Sequence, residues 1–92
     1  MASRLPENLT KNLFEFLNND LDLATTFVQV AKTELSMDDR EHAARALAKA
    51  RRALQTVRHF LVKPGLSAEQ VALLTDRCYV LESAIERVFA DV

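Results

Sequence analysis

"MDDREHAARALAKARRALQTVRHFLV", residues 37–62, repeats apolar residues in alternating steps of four and three. The repeat consists of Ala43, Leu47, Ala50, Leu54, Val57 and Leu61. A second apolar row, on the flank of the first, consists of Ala46, Ala53 and Phe60. Because an α-helix turns once every 3.6 residues or so, both rows lie on one wide face. A helix with a face this wide is typically central and packs against neighbours on two sides.

The predicted central helix is bounded by sequence signals at both ends. Ser36 precedes it and is expected to cap its amino terminus. Pro64 and Gly65 end it, since proline cannot continue the hydrogen-bond ladder and glycine allows the turn. Ser67 and Gln70 then have the spacing of a capping box for another helix.

That last helix is expected over residues 67–90, where the alternation of three and four continues. Its apolar positions are Val71, Leu74, Cys78, Leu81, Ile85 and Val88. Working outward in the other direction, residues 20–35 form a predicted helix that is antiparallel to the central one, because only a short turn can join them.

A further short helix is predicted over residues 7–18. One apolar face of this segment contains Leu9, Leu13, Phe16 and Leu17. If the helix continued without a break, Asp20 would fall in the apolar stripe that includes Ala24 and Phe27, and an unpaired buried carboxylate is costly. We therefore expect a break at Asp20.

The composition fits a single helical domain. The chain has 92 residues, 49% of them hydrophobic, with one glycine and two prolines. The predicted fold is all-α: an antiparallel three-helix bundle with a short additional N-terminal helix, in one domain over residues 1–92. A net charge of −1, a single cysteine and the absence of a signal-like start favour the cytoplasm, and no membrane association is expected.

The middle of the chain resembles a single tetratricopeptide-type helical hairpin. The positions that carry the resemblance are Phe27, Val30, Ala31, Ala43, Leu47 and Ala50. Glu34 replaces the family's late aromatic residue, and Gln55 replaces its terminal proline. Microtubule-interacting-and-transport domains and the small helical-bundle proteins common in bacteria are similar in kind. The resemblance implies a tight hairpin and a groove for a protein partner, whereas close packing of two helices is the alternative explanation of the small residues.

One side of the central helix carries Arg45, Lys49, Arg52 and His59. This basic face could contact an acidic partner or, weakly, nucleic acid. The chain is slightly acidic overall and has no aromatic residues interleaved with these cations, so a solvated helix face is the preferred explanation.

His42, followed by Arg45 and Ala46, resembles the phospho-acceptor segment of histidine phosphotransfer domains. Lysine and glycine are usual at the two following positions, so this sequence departs from the pattern at both. Asp38 and His42 could share a metal ion, but two ligands are too few for a protein site. We predict no enzymatic activity, no cofactor and no metal.

Four apolar residues lie off the predicted helix seams: Phe14, Leu21, Leu73 and Val80. Either the first helix covers them within one chain as a four-helix bundle, or two chains bury them together in a homodimer. We prefer the homodimer, because the chain is small for its apolar content. The predicted function is therefore a non-enzymatic helical interaction or scaffold module that self-associates. The alternatives are phosphotransfer through His42 and nucleic-acid binding through the basic face.

Overall fold

The computed structural model describes the backbone of residues 4–92 and the side chains of residues 12–92. Three helices follow one another: α1 (Arg4–Ser36), α2 (Arg40–Leu61) and α3 (Ala68–Phe89). Each helix packs against the other two, which makes an all-helical three-helix bundle. The prediction of this architecture is confirmed.

The predicted break near Asp20 is wrong, because α1 is one continuous helix of 33 residues. Its core seam keeps Leu17 and Ala24 of the predicted stripe but contains Leu21 and Val28 in place of Asp20 and Phe27. The seam consists of Leu17, Leu21, Ala24, Val28 and Ala31. Asp20 is only half-buried beside this seam, so its carboxylate keeps access to water and does not interrupt the helix. Phe16, expected in the core, is exposed, and the side chain of Leu9 lies outside the described residues.

The turn from α1 to α2 is held by backbone hydrogen bonds. The Asp39 N–H donates to the Glu34 carbonyl at 2.8 Å, and the Asp38 N–H donates to the Leu35 carbonyl at 3.0 Å. Asp38 has a φ of 60°, so it occupies the left-handed position of a Schellman motif that glycine usually fills. Asp39, rather than the predicted Ser36, caps α2, and its side chain accepts a hydrogen bond from the His42 N–H.

The seams of α2 and α3 agree with their predictions except at Leu61 and Val71, which are half-buried. Ala43, Leu47 and Ala50 are buried on α2, and Leu74 and Cys78 are buried on α3. The alanines of α1 and α2 let these two helices approach closely, which suits their short connection. Ser67 and Gln70 form the predicted capping box at the start of α3.

Candidate interaction surfaces

An open groove runs between α1 and α3. Its first part, with a volume of about 290 Å³, is lined by Leu21 and Val28 of α1 and by Val80 and Ala84 of α3. A second part of about 520 Å³ adjoins it and shares Lys32, Val80 and Ala84 with the first. The groove is therefore continuous towards the end of α1, and apolar side chains form much of its wall.

Leu73 and Val80 stand on the outer side of α3 next to this groove. They lie seven residues apart, so they share one line along the helix. Leu73 is 54% exposed and Val80 is 67% exposed, in agreement with their expected position off the seam. Their contact with a second chain stays a prediction.

The other two residues of the predicted contact surface are much less accessible. Leu21 is 1% exposed and packs in the core, and Phe14 is half-buried against the same core. The expectation for both residues followed from the incorrect helical phase of α1. An exposed contact surface can therefore use Leu73 and Val80 but not Leu21.

A polar cluster fixes α3 to α1 beside Leu73. Arg77 donates one hydrogen bond to the Asn18 side-chain oxygen at 2.7 Å and another to the Asp22 carboxylate, also at 2.7 Å. The Asp22 side chain is well exposed and the Arg77 side chain is 37% exposed, so the ion pair contributes at most about 1 kcal/mol to stability. Its position marks the flank of α1 that faces α3.

The predicted basic face of α2 lies on the opposite side of the bundle, next to α1. Lys49 Nζ lies 5.6 Å from the centre of the Phe27 ring of α1. Arg45 pairs with Glu41 of its own helix, and Arg52 and His59 are exposed. The structure thus brings these four residues together on one flank, and nucleic-acid binding through them stays a prediction.

Two further arginines of α2 face α3. Arg58 forms an ion pair with Glu82, and this hydrogen-bonded contact lowers the pKa of Glu82 and raises the pKa of Arg58. Arg51 instead lies over the Phe89 ring, with its guanidinium carbon 4.4 Å from the ring centre. Of these two arginines, Arg58 pairs with a carboxylate of α3 and Arg51 packs on an aromatic ring.

One further apolar line on α1 was not predicted from the sequence. It consists of Phe16, Leu23 and Val30, which are 51%, 49% and 41% exposed. Their spacing of seven residues was the signal that could have revealed them, since residues at this interval share one side of a helix. The line was not recognised because the sequence pattern placed Phe16 on the core face of the helix.

His42 and Asp39 form a hydrogen-bonded pair at the start of α2. The hydrogen bond and the negative charge of Asp39 raise the pKa of the exposed His42 imidazole, and the same contact lowers the pKa of Asp39. Asp39, rather than Asp38, is thus the acidic partner of His42. Potential ligand atoms of Glu34, Asp39 and His42 lie within 4.8 Å of one another, which is close enough to approach a metal ion. However, Asp39 already caps α2, and phosphotransfer through His42 stays a prediction.

Cys78 lies in the core seam of α3. Burial raises the pKa of its thiol above the usual value, so the reactive thiolate is disfavoured near neutral pH. Cys78 therefore acts as a small apolar core residue.

Comparison of the chain with protein families, with curated proteins and with solved structures finds no match. Within residues 4–92, none of the helices combines the length and the apolar character that crossing a membrane requires.

Proposed function

We propose that this chain is a non-enzymatic helical interaction module that associates with a second copy of itself through a surface containing Leu73 and Val80. The observation that carries the proposal is the exposure of these two large aliphatic side chains in one line on α3. The core of the bundle closes without them, so they contribute little to the stability of a single chain.

The free energy gained by burying apolar side chains limits the strength of this association. Full burial of a leucine or valine side chain is worth about 1.5–3 kcal/mol, and Leu73 and Val80 are already partly covered. Association itself costs about 4–15 kcal/mol in lost freedom of motion. Leu73 and Val80 therefore need further apolar partners on the second chain, and the smallest product of the association is a homodimer.

The tetratricopeptide-like hairpin is part of the same proposal. Ala31, Ala43, Leu47 and Ala50 are buried between α1 and α2, and Phe27 is half-buried beside them, which supports a tight hairpin at these positions. A cytoplasmic location is also proposed, on the single cysteine of the sequence.

Light scattering across a concentration series tests self-association. We expect the wild-type mass to rise above the 10.4 kDa of one chain as the concentration increases. The double variant Leu73→Asp/Val80→Asp should keep the mass of one chain at every concentration, with unchanged helix content by circular dichroism. A matched control is Ala72→Asp/Tyr79→Asp, which places the same charges at the same spacing on another exposed side of α3 and should behave as wild type. If the mass of Leu73→Asp/Val80→Asp rose with concentration as the wild-type mass does, neither residue would belong to the contact.

A further inference from the structure

A second exposed apolar line, on α1, has no partner within the described part of the chain. Phe16, Leu23 and Val30 are about half-exposed and lie on the flank of α1 next to α2. This orientation follows from Phe27, which lies four residues after Leu23 and three before Val30 and has Lys49 of α2 over its ring. The opposite flank of α1 is the one that binds Arg77 of α3.

A basic line runs beside this apolar line on α2. Arg45 and Arg52 lie four residues before and three residues after Lys49, so they share its flank and are exposed. Because α1 and α2 are antiparallel and Lys49 meets Phe27, Arg45 lies level with Val30 and Arg52 lies level with Leu23. We call these two lines the α1/α2 face, consisting of Phe16, Leu23, Val30, Arg45, Lys49 and Arg52.

The outer side of α3 presents the complementary pattern. Glu69 and Asp76 are exposed and lie four residues before Leu73 and Val80, respectively, so an acidic line accompanies the apolar one. We call these four residues the α3 face. Both faces repeat every seven residues, or about 10.5 Å along a helix.

The charges of the two faces are largely unused within one chain. Among the side chains of residues 12–92, Glu69, Asp76, Lys49 and Arg52 take part in no ion pair. Arg45 pairs only with the exposed Glu41 of its own helix. The net charge of −1 also leaves little long-range repulsion between two copies.

From these observations we infer that the α3 face of one copy docks on the α1/α2 face of a second copy. Leu73 and Val80 then pack on Leu23 and its apolar neighbours, and Glu69 and Asp76 lie along the basic line. The α1/α2 face supplies the additional apolar area that association needs. This inference rests on the proposed self-association and names the surface that receives Leu73 and Val80.

The contact joins two different surfaces, so it is heterologous. A two-fold contact of the α3 face with itself would leave the α1/α2 face without a role. The two arrangements differ in a testable way. Damage to the α1/α2 face weakens only the heterologous contact.

The decisive experiment mixes two variants of the 92-residue chain, each with one damaged face. Arg45→Glu/Arg52→Glu reverses the basic line, and Leu73→Asp/Val80→Asp damages the α3 face. Alone, Arg45→Glu/Arg52→Glu should associate about tenfold to hundredfold more weakly than wild type, and Leu73→Asp/Val80→Asp should remain a single chain. Mixed in equal amounts, they should form a complex of two chains that does not grow further, because only one intact pair of faces remains. The control Arg40→Glu/Lys63→Glu makes the same charge change near the two ends of α2, outside the α1/α2 face, and should associate as wild type.

The outcomes separate this inference from the proposed function. Normal association of Leu73→Asp/Val80→Asp would overturn both. If that variant is a single chain while Arg45→Glu/Arg52→Glu associates as wild type, the α3 face is in the contact and the α1/α2 face is not. If the two weakened variants did not form a complex with each other, the inferred docking would also be overturned. The proposed self-association through Leu73 and Val80 would still stand.

Discussion

Replacing Leu21 by alanine tests the helical phase of α1 and hence its continuity. Leu21 is 1% exposed, so the substitution removes buried apolar volume from the core. Substitutions of this kind cost about 2–5 kcal/mol in unfolding free energy, depending on the cavity that remains. Leu21 also borders the open α1/α3 groove, where water and neighbouring side chains can enter the vacated space. We therefore expect a loss near the lower end, about 2–3 kcal/mol.

The assay is chemical and thermal unfolding at concentrations where light scattering shows a single chain. For a domain of this size, a loss of about 2–3 kcal/mol corresponds to a decrease in Tm of roughly 10–20 °C. The matched control is Leu23→Ala, two residues away on the same helix and 49% exposed, which should cost less than about 1 kcal/mol. Equal losses for the two variants, or a larger loss for Leu23→Ala, would refute the assignment of the core seam.

Two further predictions follow from the titratable groups. His42 should titrate above its usual pKa in an NMR titration, and Asp39→Asn, which keeps a good helix cap, should bring the pKa of His42 back towards the usual value. The charged pair should therefore stabilise the fold, relative to Asp39→Asn, at pH values between the pKa of Asp39 and the pKa of His42. This extra stability is lost as pH rises through the raised pKa of His42 and as pH falls through the lowered pKa of Asp39. A difference in stability between the two proteins that does not depend on pH would contradict this. Cys78 should react with a thiol reagent only as the protein unfolds, and rapid stoichiometric labelling of the native protein would show that it is accessible.

Local signals were sufficient to predict much of α2 and α3. The four-and-three spacing of α2 has a single consistent phase, and Pro64, Gly65 and the Ser67 capping box mark the boundary between the two helices. At the start of α2 the prediction was less accurate. Ser36 and Asp39 are both good caps, and the choice between them depends on the Schellman turn around Asp38, a non-glycine residue with positive φ.

The phase of α1 could not be fixed from its sequence because the helix has two apolar lines. Phe16, Leu23 and Val30 form one line, whereas Leu13, Leu17 and Leu21 belong to the other. Only packing against α2 and α3 decides which line is buried. Asp20 then lies at the edge of the core instead of within it, so the electrostatic reason for a break disappears. The same ambiguity concealed the α1/α2 face.

The placement of the two apolar faces on different sides of the bundle gives any assembly built through them a direction. One terminal chain would present an unfilled α1/α2 face and the other an unfilled α3 face, so the two ends would differ as the ends of a polar filament do. Growth at each end would then depend on a different set of side chains, Arg45 and Leu23 at one end and Asp76 and Val80 at the other. A molecule that carries only one of the two faces would act as a cap for one end and leave the other end free to grow.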